Sequence, residues 1–199
     1  PYLQLNKFMS TYNLTINPKQ AIIPIDKIHL SPQNKIALNQ LLDEFKYFQA
    51  LKALDLPIDN KILLHGHTGC GKTATARAIA NALNKRIIIL NLGGIVSARL
   101  GETGRNVTNL FDQAARGKTV LFIDEFDSIG KMRESKANSN AGSGEMNRLV
   151  NIVIQLIDNL SNDTLLICAT NHLAVIDTAL QRRFQLKLNY ELPNQTALN

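Results

Sequence analysis

The sequence predicts an α/β domain in three layers, with helices packed on both faces of a parallel sheet. Three observations predict it. Short aliphatic runs alternate with longer segments whose apolar residues recur at helical spacing, as strands joined by crossover helices do. Within the runs nearly every residue is apolar, which fits strands covered on both faces. Finally, Lys61 to Ala76, KILLHGHTGCGKTATA, sets an apolar run, a glycine-containing loop and a helical segment in immediate succession.

Taken in order, residues 1–30 show no clear period and read as an extended lead-in interrupted by Pro18 and Pro24, with Ile22, Ile23, Ile25 and Ile28 clamping it to the domain. Ser31-Pro32 is a helix start, Ser as N-cap and Pro at the first helical position. Leu38, Leu41, Leu42, Phe45 and Phe48 carry that helix to about Leu54. Ile62 to Leu64 is the first strand, and Thr75 to Leu83 a helix that buries Ala76, Ile79, Ala80 and Leu83. Arg86 to Asn91 is a β-branched second strand, and Leu92 to Glu102 a loop. Val107, Leu110, Phe111 and Ala114 mark a helix, and Thr119 to Ile123 the third strand. Lys131 to Gly144, rich in Ser, Asn and Gly, reads as a mobile loop. Met146, Leu149, Val150, Val153, Leu156, Ile157 and Leu160 form the longest apolar stripe. Leu165 to Ala169 is the fourth strand, Ile176 to Gln181 a short helical segment, and Phe184 to Leu188 the fifth strand.

A chain of 199 residues with 45% hydrophobic and 19% charged residues is globular and large enough for a substantial core. No apolar run approaches the roughly 18 residues that span a bilayer. The opening PYLQLNKFMS has neither an initial Met nor a signal-peptide pattern, which predicts a piece of a longer chain. Cys70 and Cys168 belong to no disulfide or metal-ligand spacing, so the expected compartment is the reducing cytoplasm. His65 and His67 flank Gly66 without further ligand types nearby and read as strand-end and loop residues. The net charge of +6 comes from scattered Lys and Arg. With no basic block and no interleaved aromatics, a nucleic-acid face has only weak support.

The chemistry starts at GHTGCGKT, Gly66 to Thr73, which fits G-x-x-x-x-G-K-[ST] between a strand and a helix. Gly66, Gly69 and Gly71 let the loop bend so that backbone N–H groups approach phosphate oxygens, and the helix that follows directs its positive end there. The nucleotide-binding stretch is thus Gly66, His67, Thr68, Gly69, Cys70, Gly71, Lys72, Thr73 and Ala74. Lys72 places an ammonium on the outer phosphates, and Thr73 offers a hydroxyl to Mg²⁺. The third strand ends in Asp124-Glu125: Asp124 is placed to reach the same ion, and Glu125 to polarise a water at the γ-phosphate. The fourth strand ends in Ala169-Thr170-Asn171, and beside the first strand it would set the Asn171 amide between the two phosphate-binding elements. Arg182 and Arg183 follow a short helical segment; arginines so placed can insert into a neighbour's site.

These residues carry a family resemblance. GHTGCGKT, VLFIDEFDSIG, LLICATN and IDTALQRRF, in that order, resemble the AAA+ ATPases, specifically the AAA branch, from about Ile28 to Pro193. The resemblance implies the P-loop NTPase three-layer αβα sandwich with a five-stranded parallel sheet in the order 5-1-4-3-2. It implies a nucleotide-binding subdomain over residues 31–193, with 194–199 as the start of a helical lid. Lys72 and Thr73 fall in the Walker A motif, and Asp124 is the Walker B acid beside the catalytic base Glu125. Asn171 would be the first sensor, and Arg182 and Arg183 the paired arginine fingers. The implied activity is Mg²⁺-dependent hydrolysis of ATP in a ring, usually a hexamer, that remodels a protein client.

Three departures shape the expectation. The chain ends at Asn199, just past Leu192-Pro193, where the lid would begin, so these residues are expected to bind nucleotide more weakly than a lidded parent. In protein-threading members the first pore loop carries an aromatic, a hydrophobic residue and Gly; here SARLGE sets Arg99, Leu100 and Gly101 there. An arginine suits an acidic partner, a nucleic acid or a folded client better than hydrophobic gripping. Cys70 takes a place often held by Thr or Ser, either as a small packed residue or as an alkylatable thiol. The competing functions are an ATP-driven nucleic-acid remodelling factor, which would shift a labelled oligonucleotide in a salt-dependent way, and a nucleotide-gated scaffold with little turnover. Thr170-Asn171-His172-Leu173 is not the guanine-reading Asn-Lys-x-Asp of a GTPase, and a dinucleotide dehydrogenase would have G-x-G-x-x-G without Lys-Thr.

Overall fold

The computed structural model describes residues 23–96, 103–117, 119–134 and 143–191. Strands β1 (Lys61–Gly66), β2 (Ile87–Asn91), β3 (Val120–Asp124), β4 (Leu165–Thr170) and β5 (Leu186–Tyr190) form one five-stranded sheet. They lie parallel in the order β2-β3-β4-β1-β5, which is the expected 5-1-4-3-2 read from the other edge. Every residue of the central β4 is buried. At the edge β5 alternates, with Leu188 and Tyr190 inward and Lys187 and Asn189 outward, the pattern of a strand with one solvated face.

Period-two strands divide the core into two layers. Ile62, Leu64, Phe122, Ile167 and Leu188 face helices α1 (Pro32–Lys46) and α3 (Lys72–Ala82), together with α2 (Phe48–Ala53). Leu63, Leu90, Ile123, Leu166 and Cys168 face α5 (Thr103–Gly117), α6 (Asp127–Glu134) and α7 (Ser143–Asp158). The apolar stripe of α7 serves this second layer: Leu149, Val150, Val153 and Ile157 are all buried, and Leu160 beyond it. Two short helices, α4 (Leu92–Val96) and α8 (Thr178–Gln181), and turns of 3-10 helix at Ile25–Lys27 and Leu173–Val175 complete the described elements.

Several boundaries differ from the sequence reading, each for a local reason. The first helix begins as expected, Ser31 Oγ accepting from the Asn34 N–H at 3.2 Å, but it breaks at Tyr47 (φ −97°, ψ 16°). On either side of the break Phe45 and Phe48 stack with ring centroids 6.1 Å apart. The phosphate-loop helix starts at Lys72 rather than Thr75, because Gly71 in left-handed backbone (φ 90°) serves as its N-cap. Leu92–Val96, expected as loop, is helical as far as Val96, with buried Leu92 seated in the core. Lys131 to Glu134, also expected as loop, continue α6, and Lys131 is bound to Asp127 one turn back. The last short helix starts at Thr178, where Asp177 Oδ1 accepts from the Leu180 N–H at 2.7 Å. Finally, β5 runs two residues later than expected, because Tyr190 is opposite Gly66 in the pairing with β1. Arg99, Leu100 and Gly101 lie outside the described residues.

Candidate functional site

The strand order puts the carboxyl ends of β1, β4 and β3 side by side, where open parallel sheets bind ligands. Each of these ends carries residues singled out by the sequence.

At β1 the chain leaves the sheet through Gly66 (φ 142°), packed so closely on β5 that a Cβ would overlap the Tyr190 carbonyl. Gly69 and Gly71 (φ 83° and 90°) have open space at the Cβ position, so their requirement is conformational alone. His67 and Thr68 are exposed, while Cys70, Thr73 and Ala74 are half-buried. Since Gly71 offers no side chain, the first N–H groups of α3 lack a side-chain cap, an arrangement suited to an anion. Lys72, 7% exposed, folds back so that Nζ donates to the Gly66 and His67 carbonyls, both at 2.7 Å. Burial lowers its pKa, opposed by Cys70, Asp124 and Asp127. Behind the loop, Tyr190 Oη donates to Thr75 Oγ1 at 2.9 Å and Thr75 donates to the Gly71 carbonyl at 3.1 Å. Burial pushes the Tyr190 phenol up to about 12.

Thr73 reaches across to β3, donating from Oγ1 to Asp124 Oδ2 at 3.2 Å. The other Asp124 oxygen accepts from the Glu125 N–H at 2.9 Å. A hydroxyl and a carboxylate side by side are hard oxygen donors of the kind Mg²⁺ takes. Among the described residues no three His, Cys, Asp or Glu cluster as a metal cage. An ion here would therefore complete its coordination with phosphate and water oxygens, as Mg²⁺ commonly does.

Glu125 is exposed and adopts left-handed backbone (φ 53°), an uncommon conformation for a residue with a side chain. Its carboxylate lies against Gly93 in α4, where a Cβ would overlap Oε2. The next residue ties the turn to the sheet, the Phe126 N–H donating to the Ala169 carbonyl at 2.8 Å. Asn171 is half-buried at the end of β4, one residue beyond Thr170, which pairs with His65. It thus sits level with Gly66, between the phosphate loop and the tip of β3.

Sequence reasoning missed the residues joining these parts. Asp127 is 3% exposed and Thr170 1%. Asp127 Oδ1 accepts from Thr170 Oγ1 at 3.2 Å, and Oδ2 accepts from Lys131 Nζ at 2.6 Å. Burial pushes the Asp127 carboxyl up, but hydrogen bonds from Lys131 and the Asp127 backbone N–H, with the Lys131 charge and Thr170, outweigh it and hold the pKa below the usual value. Gly93, Tyr190 and Asp158 were missed as well; all five act through contacts distant in sequence.

The two arginines differ. Arg183 donates from Nε and Nη2 to the two Asp158 oxygens, at 2.7 and 3.0 Å, and from Nη1 to the Ala179 carbonyl at 2.9 Å. That carboxylate raises its pKa. Arg182 is exposed and its side chain has no partner among the described residues.

Known proteins share this architecture. The FIGL-1 AAA domain superposes with a TM-score of 0.78 at 24% identity, over 98% of this chain and 62% of that one. In sequence the chain is 34% identical over 166 residues to an uncharacterized AAA family ATPase, y4kL, of Sinorhizobium fredii, covering 83% of this chain and 49% of the relative. It is 36% identical over 141 residues to the ATPase family gene 2 protein of Saccharomyces cerevisiae, covering 68% of this chain and 18% of that protein. To the proteasome-activating nucleotidase of Methanoculleus marisnigri it is 35% identical over 138 residues, 67% of this chain and 33% of the relative. The chain therefore spans about half or less of these curated relatives. The profile of the ATPase family associated with various cellular activities matches residues 62–192, well over half of the sequence. The chain belongs to that family, the AAA ATPases.

Proposed function

We propose that this chain is the hydrolytic core of a ring-forming, hexameric assembly of the AAA type, which binds Mg²⁺–ATP, cleaves its β–γ bond and remodels a protein client. The observation that carries the reading is the convergence of Lys72, the Thr73–Asp124 pair, Glu125 and Asn171 at three adjacent strand ends.

Loop N–H groups and the start of α3 receive the phosphates, and Lys72 exchanges the Gly66 and His67 carbonyls for phosphate oxygens. Thr73 and Asp124 would hold the ion, which when bound draws charge from the β- and γ-phosphate oxygens. Asn171 orients the attacking water with its amide, and Glu125 accepts the water proton. The water oxygen bonds to the γ-phosphorus as the bridging bond breaks, leaving ADP and inorganic phosphate. Arg182 and Arg183 act on the site of a neighbouring copy; Arg182 has no partner among the described residues, whereas Arg183 must leave Asp158. An exposed ion pair is worth only about 0–1 kcal/mol, so it does not bar that exchange.

A protein client is favoured by the relative named a proteasome-activating nucleotidase. The free thiols of Cys70 and Cys168 favour the cytoplasm, and among the described residues no helix is long and apolar enough to cross a membrane. Glu125→Gln keeps the shape of the base and removes its basicity. Phosphate release by the assembled protein should fall about 10²- to 10⁴-fold with ATP still bound; turnover at the wild-type rate would refute the assignment.

A further inference from the structure

Asn171 and Glu125 come from different strand ends. Their relative placement rests on a closed circuit of hydrogen bonds. The Phe126 N–H donates to the Ala169 carbonyl at 2.8 Å. One residue further along each segment, Thr170 Oγ1 donates to Asp127 Oδ1 at 3.2 Å. That hydroxyl oxygen also accepts from the His172 N–H at 3.0 Å. The Thr170–His172 bond spans Asn171 and fixes its backbone, while Asp127 fixes which way the hydroxyl hydrogen points. On the other side Asp127 lies two residues from Glu125, whose left-handed backbone needs support from its surroundings. A residue of α6 seals the unit: Gly130 packs so tightly on the turn after β4 that a Cβ would overlap the Val175 carbonyl.

We propose that Asp127 and Thr170 are positioning residues which together set Asn171 and Glu125 for attack by water. This rests on the hydrolytic reading above. A buried polar pair serving packing alone would affect stability and leave the chemical step untouched. A positioning pair affects the chemical step selectively, because small displacements of the base or of the water-holding amide cost rate more than they cost binding.

The test measures kcat, nucleotide affinity and thermal unfolding for the full-length assembled protein. Thr170→Val removes the hydroxyl at nearly constant volume and Thr170→Ser retains it. The expectation for Thr170→Val is a kcat lowered about tenfold or more, with nucleotide affinity within about twofold. Thr170→Ser should restore kcat to within about threefold of wild type. In a double-mutant cycle, Asp127→Ala combined with Thr170→Val should be no slower than Asp127→Ala alone, since that variant has already lost the Thr170 contact along with the Lys131 pair. If Thr170→Val fails to fold, Asp127→Ala carries the same expectation for kcat. Wild-type kcat in Thr170→Val, no rescue by serine, or multiplicative losses in the cycle would overturn the proposal. Those results together with an inactive Glu125→Gln would leave the hydrolytic reading standing, whereas a fully active Glu125→Gln would overturn both.

Discussion

The phosphate loop and the tips of β3 and β4 lie side by side but are built in opposite ways. Gly66 to Gly71 is assembled from consecutive residues, and its shape follows from left-handed glycines and the start of α3. The neighbouring tips become a site only when residues over forty positions apart meet, as Asp127 and Thr170 do. The first region is a backbone device, tolerant of which side chains fill it. The second is a side-chain device, dependent on buried polar groups that must all be satisfied. The difference teaches where substitutions act: in the loop through backbone geometry, and at the tips through hydrogen-bonding partners.

The largest effect expected from the comparison is at Gly66. Alanine there would set a Cβ into the Tyr190 carbonyl, which the pairing of β1 with β5 holds in place. Gly66→Ala should cost about 3 kcal/mol or more, read as a lower thermal unfolding midpoint. A stable variant would show that β5 yields and that the loop is less rigid than its backbone implies. Tyr190→Phe sharpens the contrast at smaller scale, because Tyr190 ties the back of the loop through Thr75 to the Gly71 carbonyl. Losing that buried bond should cost about 1–2 kcal/mol, measured as a shift in denaturant midpoint at unchanged slope.

The same contrast explains what was legible in the sequence. The sheet order followed from a family resemblance carried by contiguous motifs, and the glycine loop from its own spacing. Asp124, Glu125 and Asn171 were visible because each lies within two residues of an apolar run and falls on a motif position of the family resemblance. Asp127 and Thr170 were not, since a polar residue close to a strand's end ordinarily marks a turn, and only the fold shows both nearly inaccessible. Gly93 was read as part of a loop, although it lies in α4 against the Glu125 carboxylate. The late start of β5 was hidden by Phe184, which reads as a strand residue but packs edge-on against Phe126, with centroids 5.5 Å apart. Arg182 and Arg183 read as equivalent because Asp158, which holds one of them, is distant in sequence.

The smallest effect concerns His65, beside the loop on β1. Burial, then Lys187 and Lys72, lower its pKa from the ordinary value of about 6.5. Below that value the unfolded chain binds the proton more readily than the folded one, so stability is full above about pH 6.5 and declines as pH falls toward the lowered folded pKa. His65→Gln should flatten that decline in unfolding experiments between about pH 6.5 and 5. An unaltered slope would mean that the imidazole is solvated well enough to titrate normally.

The central claim is that the hydrolytic site is shared between copies, with Glu125 supplied by one and the arginines by the next. Subunits carrying Glu125→Gln and subunits carrying Arg182→Ala with Arg183→Ala should each form assemblies that bind ATP and release little phosphate. Mixed together, they create interfaces at which an intact Glu125 faces intact arginines. Phosphate release well above the sum of the separate preparations is the result the account predicts; mixed assemblies no more active than their components would contradict it.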